Sequence, residues 1–138
     1  MQKVLIGYEI EFHKTFSTEN VLDFSRISED NNPIHLDEDH ASKSIFGKRV
    51  VHGILLVSMF SKIFGTMYPG NGAIYLSQTS KFLAPAFIGE TIIAKAKLIR
   101  FDNDKFQGVF LTECFNKESD KLIFTGEAKI LFPKTFVL

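Results

Sequence analysis

A chain of 138 residues is long enough to bury one contiguous core and too short for two, so a single domain spanning 1–138 is expected. Apolar residues make up 45% of it, fifteen of them Phe, and sixteen basic side chains balance sixteen acidic ones. This composition excludes a disordered chain and supplies no general field toward nucleic acid or an anionic membrane.

The first residues, MQKVLIGYEIEF, put Glu9 and Glu11 where a secretory signal needs an uninterrupted apolar run, which makes the cytoplasm the expected location. Residues 8–16 read as a strand. Ser17 or Thr18 then offers a cap for a helix carrying Val21, Leu22, Phe24 and Ile27. That helix must end before Pro33, which pushes Asn32 out of the α region, so 29–36 is expected to turn as an ordered loop. A short helix over 37–44 follows.

Residues 52–64 are apolar on nearly every face and stop before Pro69-Gly70. A helix of this kind needs walls on most sides, and at this length it is a buried core element rather than a membrane span. The walls are expected from strands at 73–82, 91–101, 106–116 and 121–132, separated by the polar turns 102–104 and 116–120. In the last strand Leu122, Phe124, Gly126, Ala128, Ile130 and Phe132 share one face, where small Gly126 and Ala128 would leave room for a helix. The pattern as a whole predicts an α+β domain in which an antiparallel sheet wraps around one central apolar helix. Cys114, the single cysteine, has no second thiol for a disulfide or zinc site and reads as structural.

Chemistry concentrates in Ser28-Glu29-Asp30-Asn31-Asn32-Pro33-Ile34-His35. A proline-bent loop can bring Asp30 and His35 together on one small molecule. Adding water across a double bond needs such a pair: one group takes a proton from water and one delivers a proton to the neighbouring carbon. Asn32 is placed to orient either partner. The same residue types also build plain turns, and the second element that raises the catalytic reading is Val51-His52-Gly53. There a glycine opens the most apolar helix, whose first amides are unpaired. Gly53 admits two readings: an amide open to a thioester oxygen, or a glycine required by close packing at the helix entry. His52 reads as a cap or an interior hydrogen-bond partner.

Asp30-Asn31-Asn32-Pro33-Ile34-His35 followed by Val51-His52-Gly53 resembles the hydratase motif of the R-specific enoyl-CoA hydratases within the MaoC-like hot-dog dehydratases. The similarity continues through Ile74-Tyr75-Leu76-Ser77-Gln78 and Phe82-Leu83-Ala84-Pro85. The resemblance implies a hot-dog fold, a homodimer, and reversible hydration of trans-2-enoyl-CoA to the (R)-3-hydroxyacyl thioester. No cofactor is implied, because the coenzyme A thioester is the substrate. It assigns Asp30 and His35 as the catalytic pair, Gly53 as the amide at the thioester oxygen, and Asn32 and Ser61 as supporting groups. Phe64, three residues after Ser61 on the same helical face, is a candidate for the acyl pocket. The Lys48-Arg49-Val50 approach lacks the proline often found before the family's Val-His-Gly.

Two rival functions remain. One is a dehydratase of 3-hydroxyacyl chains on acyl carrier protein or another acyl-CoA, with Lys43, Lys48, Arg49 and Lys81 as a candidate docking patch. The other is a non-catalytic acyl-thioester-binding subunit. No metal cluster, nucleotide loop or nucleic-acid stripe supports a further class.

Overall fold

The computed structural model describes residues 2–138. Strand β1 (Gln2–Lys3) precedes β2 (Glu9–Thr15), and Ser17 then caps α1 (Thr18–Ser28). The Asn20 N–H donates to Ser17 Oγ at 3.1 Å while the Ser17 N–H donates to Asn20 Oδ1 at 3.0 Å, a reciprocal cap that satisfies two helix-start donors. Helix α1 stops where Glu29 turns left-handed at φ 63°.

The segment expected as a loop contains a single helical turn, α2 (Pro33–Leu36), and a short α3 (Glu38–Ser42) follows it. Pro33 permits this because it occupies the first helical position, where no backbone donor is needed. The central helix α4 spans Gly53–Lys62 and runs on into a π-helical turn at Ile63–Met67.

The remaining chain is sheet. Strands β3 (Ile74–Gln78), β4 (Lys81–Phe82), β5 (Thr91–Asp102), β6 (Gln107–Asn116) and β7 (Leu122–Leu131) join β2 in an antiparallel sheet of order β2-β5-β6-β7-β3, with β4 also paired to β7. A final β8 (Phe136–Val137) forms a small parallel pair with β1 that the sequence pattern did not suggest.

The sheet closes around α4, as the apolar patterning requires. Leu56, Met59, Phe60, Ile63 and Phe64 pack with Ala94, Ala96 and Leu98 of β5, Phe110 and Cys114 of β6, and Phe124, Ala128 and Ile130 of β7. Full burial of Phe60 implies that truncating it to Ala costs about 3–5 kcal/mol. Burial pushes the Cys114 thiol up to about 12, in keeping with an inert core residue.

Three expectations need correction. The run 73–82 is two strands, broken where the Thr79 N–H donates to the Glu127 carbonyl at 2.9 Å and the Gln78 amide donates to the Thr79 carbonyl at 2.8 Å. Gly126 makes room for this break and not for the helix: a Cβ there would run into the Thr79 carbonyl. The central helix is also open along one stripe, with Ile54, Ser58 and Ser61 exposed, because the wrapping sheet leaves that side uncovered.

Among the described residues no helix is long and apolar enough to cross a membrane.

Candidate active site

The loop after α1 is organised by its own side chains. The Asp30 N–H donates to Ser28 Oγ at 3.1 Å, and the Asn32 N–H donates to Asp30 Oδ1 at 3.1 Å. Asn32 then caps α2: its Oδ1 accepts from the Ile34 N–H at 3.2 Å, and its carbonyl accepts from the His35 N–H at 3.0 Å. One residue therefore holds the carboxylate with its donor and the histidine-bearing turn with its acceptors. Asn32 thus contacts Asp30 and His35 through its backbone, and its side chain bonds only the Ile34 N–H.

His35 is half-buried, and its Nδ1 lies 2.7 Å from the Val50 carbonyl oxygen. A carbonyl only accepts, so Nδ1 carries the proton and the neutral ring keeps its lone pair on Nε2. The Val50 N–H returns a bond to the Ile34 carbonyl at 3.3 Å, tying α2 to the approach to α4. With valine and not proline before Val51, the Val50 N–H is available for that bond, and the Val51 N–H donates to the Ala86 carbonyl at 2.8 Å.

His52 is buried, 2% exposed, and its ring stacks on His35 with centroids 3.8 Å apart. Its Nε2 lies 3.3 Å from Ser25 Oγ, 3.4 Å from the Asp30 carbonyl oxygen and 4.0 Å from Asp30 Oδ2. It is an interior hydrogen-bond partner and does not cap α4 through its side chain. Burial holds its pKa below the ordinary histidine value, and the neighbouring charge of His35 acts in the same direction, while Asp30 opposes both. Asp30, His35 and His52 each bring one donor atom within 4.8 Å of the other two, a proximity of metal-binding residue types that the sequence pattern did not reveal.

Gly53 is the first residue of α4, so its N–H has no intrahelical acceptor. The surroundings of this glycine bear on both readings. A Cβ at residue 53 would come within 2.8 Å of the Phe82 ring, so side-chain space is closed, while the amide stands at the wall of a cavity. That cavity, about 540 Å³, has His35, Val51, Gly53, Leu56 and Phe82 in its lining and is mainly apolar. Its size suits a small acyl group.

Other sequence candidates lie elsewhere. Ser61 is exposed on the open stripe of α4, and Phe64 is buried against Phe60, Tyr75 and Phe110; neither lines the cavity. Of the basic candidates, Lys43 pairs with Asp39 at 3.3 Å, Arg49 with Glu38 at 2.9 Å, and the Lys48 ammonium sits 4.5 Å from the centroid of the Phe87 ring. Ser25 and Phe82 were not singled out by sequence. Ser25 lies within an ordinary amphipathic helix, and only the fold brings it to His52 from 27 residues away.

Comparison with known proteins shows the family and the fold. Residues 3–116 match the MaoC like domain. The chain is 36% identical over 132 residues to an (R)-specific enoyl-CoA hydratase of Aeromonas caviae, covering 96% of this chain and 98% of that protein. It is 33% identical over 135 residues to the mitochondrial 3-hydroxyacyl-[acyl-carrier-protein] dehydratase of Arabidopsis thaliana, covering 96% and 80%. The solved structure of the (R)-hydratase from A. caviae involved in PHA biosynthesis superposes with a TM-score of 0.92 at 35% identity, covering 96% of this chain and 100% of that one. The architecture is accordingly a hot-dog fold. The chain belongs to the MaoC-like domain family and is an enzyme of its hydratase and dehydratase kind.

Proposed function

We propose that this chain reversibly hydrates trans-2-enoyl-CoA to the (R)-3-hydroxyacyl thioester, working as a cytoplasmic homodimer without a cofactor. The observation that carries the reading is the convergence of Asp30 on His35, which with Gly53 of the first turn of α4 lines an apolar cavity of about 540 Å³, Asp30 itself standing outside that lining.

In this reaction a water held between Asp30 and the His35 Nε2 attacks C3 of the enoyl thioester. The new C–O bond forms as a water proton passes to the pair, and the π electrons move toward the thioester carbonyl. The Gly53 N–H, at the positive end of α4, receives the developing negative charge on that oxygen. The Asp-His pair then returns a proton to C2, closing the cycle. Coupled groups share their protons, so the pair is treated as one acid/base unit.

Hydration of crotonyl-CoA by the purified chain, with the handedness of the product assigned, tests the reading directly. Absence of turnover from a folded protein, together with retained binding of the thioester, would move the chain to the class of acyl-binding subunits. The carrier-protein alternative draws support from the Arabidopsis relative's name; a strong preference for 3-hydroxyacyl chains on carrier protein over the same chains on CoA would replace the CoA reading.

Supporting groups further along α4 belong to the same proposal. Ser61 and Phe64 line no part of the cavity and enter the proposal through the resemblance alone, as groups that a longer acyl chain would have to run along α4 to meet. Enoyl-CoAs of increasing length assayed with the wild type and Phe64→Ala test this, and an unchanged length profile removes Phe64.

The homodimer is supported by apolar side chains exposed around the free edge of the sheet: Ile74, Tyr75 and Leu76 on β3, and Phe82 and Leu83 at about β4. Ile54 on the open stripe of α4 is 57% exposed. Patches of this kind mark interaction surfaces. Sedimentation at micromolar concentration distinguishes dimer from monomer.

A further inference from the structure

We propose that His52 is a positioning residue: a neutral imidazole whose Nε2–H ties the main chain of Asp30 to α1 and whose ring supports His35. The inference rests on the Asp30-His35 reading above and adds to it a third residue that need not touch substrate.

Three elements meet on this ring. From α1, Ser25 Oγ lies 3.3 Å from Nε2 and Phe24 presents its ring in an edge arrangement at 4.7 Å. From the loop, the Asp30 carbonyl oxygen lies 3.4 Å from the same nitrogen, and Oδ2 of the Asp30 carboxylate lies 4.0 Å away. From α2, the His35 ring lies face to face at 3.8 Å, inclined by 26°. The titratable groups facing His52 are therefore Asp30 and His35, with no other charged side chain within the ion-pair or stacking contacts of the described residues.

These contacts specify the protonation of the ring. A carbonyl accepts only, so the proton belongs on Nε2. Nδ1 is buried without a hydrogen-bond partner, and a second proton placed there would be a charged donor with no acceptor. The ring also stands at the N-terminus of α4, where the helix disfavours positive charge. His35, by contrast, keeps an unprotonated Nε2 and half-exposure, so the proton moved in catalysis resides there and on Asp30, while His52 stays neutral beneath them. Two positive rings in contact repel, so charging His35 itself excludes charge from His52. The clamp thus holds the carboxylate's backbone fixed while its neighbour changes charge.

Two substitutions separate this role from packing. His52→Phe keeps a ring and removes the donor; His52→Gln keeps a neutral planar donor near the Nε2 position. His52→Phe is expected to lower kcat for crotonyl-CoA by about tenfold to a hundredfold with KM nearly unchanged, as small misplacement of a catalytic group does. His52→Gln is expected to restore most of that loss. Full kcat in His52→Phe overturns the inference, and so does an equal loss in both variants. A measurement on the unaltered protein stands whether or not the variants fold: ¹⁵N NMR of the histidine rings should show His52 neutral at pH 7 and protonated at Nε2. A charged His52 at pH 7, or its proton on Nδ1, overturns the proposal even if Asp30 and His35 prove catalytic; near-wild-type turnover in both Asp30→Asn and His35→Ala would instead remove the underlying reading.

Discussion

His35 donates from Nδ1 to the Val50 carbonyl oxygen at 2.7 Å, and this bond decides which of its nitrogens is available for chemistry. It also links the loop that carries Asp30 to the segment that leads into α4, since Val50 and Ile34 exchange a backbone bond alongside it. Because Asp30 and His35, the proposed acid/base pair, are at least partly solvent-exposed, their replacement should leave the fold in place. Asp30→Asn and His35→Ala are each expected to lower kcat on crotonyl-CoA by about 10²-fold or more, the usual contribution of a positioned acid or base. The check is the initial rate of hydration, with circular dichroism confirming the fold; near-wild-type rates in both would remove the mechanism.

Asn32 couples the two halves of the pair, so Asn32→Ala should act on stability and turnover together. Loss of the α2 cap is expected to cost about 1 kcal/mol, read from denaturant unfolding. The Asn32 backbone donor to Asp30 survives the substitution, but the turn that presents it loosens. A lower kcat with a nearly unchanged KM is therefore expected, and a change in KM alone would point to substrate binding instead.

The contact between Gly53 and Phe82 supplies a double-mutant test of the two meanings of the glycine. Gly53→Ala pushes a methyl against the Phe82 ring and should lower kcat/KM. Adding Phe82→Ala removes the collision. If close packing is the whole reason for glycine, the double variant regains the activity of Phe82→Ala alone; the amide reading predicts a persistent loss, because the methyl still crowds the approach to the helix's first N–H.

Stability should fall on the acid side through His52. Its folded pKa lies below the ordinary value of 6.5, chiefly from burial, so on acidification the unfolded chain takes up a proton there before the folded chain does. The stabilisation is present above about pH 6.5 and is lost as pH falls from that value toward the lower folded pKa. Melting temperatures from pH 7.5 down to 5 should drop more steeply for the wild type than for His52→Gln; parallel curves would show that this ring is not the source.

Gly126 offers a test of the fold alone. Gly126→Ala places a methyl against the Thr79 carbonyl at the break between β3 and β4, and the overpacking is expected to cost about 1–3 kcal/mol or more. Unfolding of the variant at wild-type denaturant concentrations would show that this break yields without strain.

The periodic features were readable along the chain. Strand-like runs marked β5, β6 and β7, the last of them by its alternation, Ser17 or Thr18 marked the start of α1, and continuous apolarity marked α4 as the element to be enclosed. These follow from local geometry and burial, which repeat with the period of the backbone. The Asp30-to-His35 loop and Gly53 were legible for a different reason: their residue types are unusual together, and a resemblance gave the combination a meaning.

Sequence by itself determined that a carboxylate, an imidazole and a glycine-led apolar helix are present in one chain, because side-chain chemistry and hydrophobic period are written residue by residue. Only the tertiary structure decided that Ser25 and His52 meet beside Asp30, that Phe82 lies over Gly53, and that Gly126 accommodates Thr79 and not α4. Each of those contacts joins segments whose separation along the chain carries no periodic signal; the partner is chosen by how α1, α4 and the sheet pack, since burial fixes which atoms must share the same small space.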